Sequence, residues 1–186
     1  MRWNHPERGL MPAGEFIEIA EETGAIVQVG ELVLEKACRA CRDWPADVNV
    51  AVNVSPRQFD RADVSGAVRK ALAEAGLAPN RLEIEITESA LLRNVTSVND
   101  ALGDLKELGV RISLDDFGTG YSSLSYLHSF PFDKVKLDRS FVANLASDSR
   151  SLTLIVGAAR LSAELGLRVT VEGIETADQL ELVRSE

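Results

Sequence analysis

Val110-Arg111-Ile112-Ser113-Leu114-Asp115-Asp116-Phe117-Gly118-Thr119-Gly120 sets Val110, Ile112 and Leu114 on one side of an extended chain and Arg111, Ser113 and Asp115 on the other. That period of two predicts a strand with one apolar and one polar face. It runs into adjacent acids and a glycine-rich loop that continues through Tyr121-Ser122-Ser123-Leu124. Neighbouring carboxylates repel and are costly to desolvate, so they call for a partner, and a divalent cation is the most economical one. Glycines after them let backbone approach whatever binds. Taken alone, the same residues also fit a solvated Asp-Asp turn with glycine supplying positive φ.

Four other segments repeat the two-faced pattern. Val48, Val50, Val52 and Val54 alternate with Asn49, Ala51 and Asn53, and Leu82, Ile84 and Ile86 with Glu83, Glu85 and Thr87. Val135 and Leu137 oppose Lys134, Lys136 and Asp138; Leu167, Val169 and Val171 oppose Arg168, Thr170 and Glu172. Helical periods separate them, predicted near 27–42, over 64–75 before Gly76, from Val95 to Leu108 before Gly109, and near 148–165 before Gly166. A shorter helix is predicted over 12–22, stopped at Thr23-Gly24.

Alternating strands and helices predict a parallel sheet of βαβ units. An open doubly wound sheet is covered on both faces and carries near-continuous apolar strands, which these are not. A TIM-like (β/α) barrel accounts for them: the outer face meets a helix ring and the inner face holds polar side chains. Five strands fall short of the eight strands and about 250 residues of a closed barrel, so the barrel is expected to be incomplete here.

Followed to their C-terminal ends, the polar faces deliver Asn53, Glu85, Asp115, Lys136 and Glu172, where a (β/α) barrel builds its active-site rim. Carboxylates with an amide oxygen form a hard ligand set suited to Mg²⁺ or Mn²⁺. Asp115 and Asp116 together can bridge two ions, and two ions can clamp the attacking and leaving oxygens of a phosphoryl centre, with Lys136 steadying the water or the developing charge. The competing reading is a buried ion network that joins these groups to Arg111, Lys134 and Arg168. A Schiff-base lyase using Lys136 is a further reading, but it gives the glycine loop no role.

The chain has 186 residues, 45% of them hydrophobic, and a formal charge of -9. Its lysines and arginines are scattered, which argues against a nucleic-acid polymer as partner. No apolar run reaches membrane-spanning length and Met1-Arg2-Trp3-Asn4-His5 has no signal-peptide core, so no membrane contact within this segment and a cytoplasmic location are expected. Cys38 and Cys41 share a predicted helix face with Leu34, Ala37 and Trp44 and read as core packing. His5 and His128 are isolated and read as surface or loop residues.

Asn53-Val54-Ser55, Glu85-Ile86-Thr87-Glu88-Ser89, Asp115 through Leu124, Lys134-Val135-Lys136-Leu137-Asp138 with Arg139-Ser140-Phe141, and Val171-Glu172-Gly173-Ile174-Glu175 resemble, in order along the whole chain, the EAL-domain family of cyclic-di-GMP phosphodiesterases. The resemblance implies a TIM-like barrel that uses two Mg²⁺ or Mn²⁺ ions to hydrolyse cyclic di-GMP to linear pGpG. It implies Asn53, Glu85, Asp115 and Asp116 as metal ligands, Lys136 as the residue orienting the hydrolytic water, and Glu172 as either a ligand of the second metal or the base. Glu88 would anchor the glycine loop, with Phe117, Gly118 and Thr119, in a loop coupled to homodimer formation. Glu175 would be a supporting acid, and Arg2 the arginine that touches the substrate phosphate.

Two family features are not in these 186 residues. The Glu-Ala-Leu triplet with its metal-binding glutamate would precede Arg2-Trp3, and the last strand with its glutamine motif would follow Glu186. Residues 1–186 are therefore expected to be a partial EAL domain with little activity of its own. A non-catalytic cyclic-di-GMP-binding or protein-interaction effector is the alternative.

Overall fold

The computed structural model describes residues 1–91, 95–119, 124–143, 145 and 149–184. Residues Gly120, Tyr121, Ser122 and Ser123 of the glycine motif lie outside them. Seven strands are described: β1 (Arg2–His5), β2 (Gly9–Pro12), β3 (Val50–Asn53), β4 (Leu82–Thr87), β5 (Arg111–Phe117), β6 (Lys134–Leu137) and β7 (Arg168–Val171). The helices are α1 (Ile17–Thr23), α2 (Ile26–Arg42), α3 (Pro56–Arg61), α4 (Val64–Ala75), α5 (Glu88–Leu91), α6 (Val95–Glu107), α7 (Leu124–Ser129), α8 (Ser140–Ala143), α9 (Ser149–Glu164) and α10 (Ala177–Arg184), with short 3₁₀ turns at Ala13–Glu15 and Pro79–Arg81.

The five predicted strands form one sheet in the order β3-β4-β5-β6-β7, every neighbour parallel. Helices follow the strands and cover the outer face, as right-handed βαβ connections require. This is the TIM-like (β/α) arrangement with the barrel left open. Leu82, Ile84, Ile86, Ile112, Leu114, Val135 and Leu137 on the middle strands are fully or almost fully buried, together with Val68, Val98, Leu102 and Leu105 of the helices. Outer positions on the last strand are only half-buried, because β7 has no neighbour beyond it among the described residues.

The structure adds an antiparallel hairpin, β1 with β2, that the sequence reading does not contain. Its strands have four residues each and no clean alternation, so periodicity does not announce them. The turn is local chemistry: His5 Nδ1 accepts the backbone N–H groups of Glu7 and Arg8 at 3.1 and 3.2 Å, and Gly9 takes φ 71°. The helix predicted over 12–22 is divided into a 3₁₀ turn and α1. The break between strand and helix at Ser55-Pro56 is a capping box: the Ser55 hydroxyl accepts from Arg57 N–H at 3.1 Å while Gln58 Oε1 accepts the Ser55 N–H at 3.0 Å.

Cys38 and Cys41 are both completely buried, and burial pushes the Cys38 thiol up to about 11, with Cys41 adding to it. They are core residues, as expected. Trp44 is not their companion: α2 ends at Arg42 and Trp44 is exposed.

Candidate metal centre and its surroundings

The inner face of the sheet carries two charged layers. In the lower one, the buried Glu83 of β4 accepts from Lys134 of β6 and lies 3.8 Å from Arg168 of β7. This departs from the ion-network reading: Lys134 and Arg168 pair with Glu83, and among the described residues no ion pair joins them or Arg111 to the rim groups. Lys134 and Arg168 are direct partners in register, and Glu83 reaches them across β5, where the small Ser113 leaves the room.

The upper layer sits at the C-terminal ends. Lys136 Nζ lies 2.7 Å from Glu172 Oε1, 2.9 Å from Asp115 Oδ1 and 3.1 Å from Glu85 Oε1. Asn53 Nδ2 donates to the other Glu85 oxygen at 3.1 Å. Four strands and the residue after β7 therefore bring Asn53, Glu85, Asp115, Lys136 and Glu172 into one connected group. Burial works against the charge on Lys136, but its bonds to Glu172, Asp115 and Glu85 outweigh it and hold its pKa above the ordinary lysine value.

Asp116 reaches the same side by a backbone irregularity. Successive strand residues face opposite ways, so an ideal β5 would turn Asp116 away from Asp115. Instead the register slips: Leu114 opposes Val135 and Phe117 opposes Leu137, leaving an extra residue on β5. Asp116 takes φ 53°, the one non-glycine with positive φ among the described residues, and its N–H donates to Asp115 Oδ1 at 3.0 Å. As a result Asp115, Asp116 and Glu172 each offer an oxygen within 4.8 Å of the others.

This donor set fits a hard divalent cation. It is all oxygen, and it carries more negative charge than Lys136 can neutralise. The imbalance is visible at Asp116, whose pKa is raised by burial and by Asp115, Asp138 and Glu172 against the opposing pull of Lys136. Asp138, which the rim reading passed over, is close enough to add to the negative charge felt by Asp116, though it is not one of the three carboxylates that converge. It stands two residues beyond Lys136 on the same alternation, a signal present in the sequence, and its carboxylate accepts Ser140 N–H at 2.9 Å.

Other expected residues lie apart. Glu88 is buried at the start of α5, directly after β4, while part of the loop it is expected to anchor lies outside the described residues. Glu175 is exposed and its N–H donates to Gln179 Oε1 at 2.8 Å; it is not in the carboxylate cluster. Arg2 is exposed on β1, and among the described residues no ion pair joins it to that cluster. Phe117 is buried, Gly118 has φ 94°, and the Thr119 hydroxyl donates to the Asp116 carbonyl at 2.8 Å.

Fold and site together define a (β/α)-barrel protein with a carboxylate and lysine rim at the strand C-termini. Residues 1–186 match the EAL domain, and the chain belongs to that family. It is 44% identical over 187 residues to the bifunctional diguanylate cyclase/cyclic di-GMP phosphodiesterase MucR of Pseudomonas aeruginosa, covering 98% of this chain and 27% of MucR. It is 42% identical over 188 residues to the cyclic di-GMP phosphodiesterase NbdA of the same organism, covering 99% and 24%. The structure of the MucR phosphodiesterase in complex with c-di-GMP superposes with a TM-score of 0.93 at 44% identity, covering 99% of this chain and 76% of that one. The chain thus spans about a quarter of the length of these curated relatives.

Proposed function

We propose that this chain carries the metal-binding rim of a cyclic-di-GMP phosphodiesterase, which opens the cyclic dinucleotide to linear pGpG. The observation that carries the reading is the convergence of Asp115, Asp116 and Glu172, made possible by the bulge in β5, around a lysine bonded to three carboxylates. Family membership and similarity to MucR, whose phosphodiesterase structure contains c-di-GMP, support the substrate.

Asn53, Glu85, Asp115, Asp116 and Glu172 would hold Mg²⁺ or Mn²⁺, two ions in a complete barrel. A divalent cation held there supplies Lewis-acid neutralisation of charge on the phosphoryl oxygens. Lys136 would orient the attacking water once a cation takes over one of its three carboxylate partners and frees an N–H. Glu172, the most exposed of its partners, would take the water's proton or complete the ligand set. Glu88, with Phe117, Gly118 and Thr119, supports the loop, Glu175 is an outlying acid, and Arg2 binds a substrate phosphate. A homodimer in a complete domain and a cytoplasmic setting belong to the same reading; no described helix is long and apolar enough to cross a membrane.

The open sheet leads us to propose that these 186 residues are one part of an EAL domain and hydrolyse cyclic di-GMP slowly by themselves, since unpaired edges leave the rim unsupported on two sides. The test compares Mn²⁺-dependent pGpG formation by the 186-residue chain with that of a version fused to the flanking barrel segments of a relative. Strong hydrolysis only in the completed barrel is expected; full turnover by the chain alone overturns the slow-turnover proposal, and none in either overturns the phosphodiesterase reading. A non-catalytic effector, the alternative, would bind cyclic di-GMP in Ca²⁺ and yield no pGpG in Mn²⁺ even when completed.

A further inference from the structure

We propose that Phe141, on α8, is the positioning residue that holds Asp116 in the metal site, an inference that rests on the metal-site reading above. Its ring occupies the space beside Gly118: a Cβ built on that glycine would lie 2.3 Å from Phe141 Cζ and 2.6 Å from Cε2. Ring and glycine are therefore in close contact, and the contact falls two residues beyond Asp116. Between them lies the irregular turn itself, with φ 53° at Asp116 and 94° at Gly118.

A left-handed backbone at a non-glycine residue persists only when its surroundings over-determine it. From inside the loop, Thr119 supplies two bonds to the Asp116 carbonyl, from its N–H at 3.3 Å and its hydroxyl at 2.8 Å. Phe117 is pinned in the core on the other side of the strand. What keeps Gly118 from swinging outward, and β5 from regularising so that Asp116 rotates to the opposite face, is the ring packed against it.

The ring is itself held firmly. Asp138 accepts Ser140 N–H on its side chain at 2.9 Å and Phe141 N–H on its carbonyl at 3.1 Å, and the next residue, Val142, is completely buried. The end of β6 thus fixes α8, α8 fixes the ring, and the ring fixes Gly118, just beyond β5. Phe141 touches no reacting atom; it acts through Asp116.

The test measures Mn²⁺ binding by calorimetry, alongside thermal melting, for wild type, Phe141→Ala, Phe141→Met and Val68→Ala. Phe141→Ala is expected to bind Mn²⁺ roughly tenfold or more weakly, the scale seen when a group supporting a ligand is lost. Phe141→Met, which keeps an apolar side chain of similar reach without adding a hydroxyl at the ring tip that meets Gly118, should stay close to wild-type affinity. Val68→Ala, a fully buried position on α4 outside this chain of contacts, lowers the melting temperature and should leave affinity unchanged, which separates positioning from general stability. If Phe141→Ala does not fold, Phe141→Leu takes its place with a smaller loss in the same direction. Wild-type affinity in Phe141→Ala or Phe141→Leu overturns the inference alone. No Mn²⁺ uptake by the wild type overturns the metal-site reading and the inference with it.

Discussion

Replacing Lys136 with methionine separates the two things that this residue does. In the metal-free protein its ammonium balances Glu85 and Asp115, both buried, and the more exposed Glu172. Removing one partner of a buried ion pair leaves an uncompensated charge and costs ~3–5 kcal/mol. The Glu172 side chain is 36% exposed and water screens it, so a loss at the low end, about 3 kcal/mol, is expected. For a chain of this length that corresponds to about 6–12 °C in melting temperature. The raised native pKa of Lys136 means that its contribution is complete below the unfolded lysine value and fades only as pH climbs through the native one, so the loss is fully present at neutral pH.

Manganese should reverse the order. In wild type an incoming cation competes with the ammonium for the same carboxylate oxygens; in Lys136→Met it meets no competitor. Mn²⁺ is therefore expected to raise the melting temperature of the variant more than that of the wild type, with stabilisation following RT ln(1 + [L]/Kd), while pGpG formation is lost. Differential scanning calorimetry with and without Mn²⁺ reads both effects. An equal or smaller Mn²⁺ shift in the variant would refute the claim that lysine and cation share these ligands.

Asp116→Asn is expected to melt higher than wild type in metal-free buffer at neutral pH, because it removes a charge that burial and its acidic neighbours penalise; a lower melting point would count against that electrostatic picture. A raised native pKa means that the native state binds the extra proton, so the wild-type penalty is full above that pKa and vanishes below the unfolded aspartate value; the variant's advantage should shrink accordingly as a melting series is taken to acid pH. Gly118→Ala combines positive φ with a clash against Phe141 and should cost ~2–5 kcal/mol in urea denaturation, whereas Gly103→Ala, at an open helical position, should be neutral or stabilising. Cys38 and Cys41 should resist thiol reagents in the native protein and react at once in denaturant, since both are buried and the Cys38 thiolate is disfavoured.

Strand identity was legible because each strand pairs an apolar face for the helices with a polar face for the barrel interior; Val135 and Leu137 against Lys134 and Lys136 needed no tertiary information. The rim followed from carrying that alternation to the strand ends, and it brought Asn53, Glu85, Asp115, Lys136 and Glu172 together correctly. The same alternation gives the wrong side for Asp116. Only the register of β5 against β6 reveals the extra residue, and register is a property of the pair of strands. Asp138 lay on the same visible polar face as Lys134 and Lys136, and the rim reading took Lys136 in its place. The β1–β2 hairpin was illegible for a different reason: its turn is closed by a histidine ring accepting backbone N–H groups, a contact without a periodic signature.

The most direct measurement is Mn²⁺-dependent hydrolysis of cyclic di-GMP, followed as pGpG by chromatography, in a barrel completed with a relative's flanking segments and carrying this chain's residues 1–186. The expected result is hydrolysis that requires the metal and disappears in both Asp116→Asn and Lys136→Met. Hydrolysis that persists without metal, or that survives in either variant, would contradict the assignment of this rim as the catalytic centre.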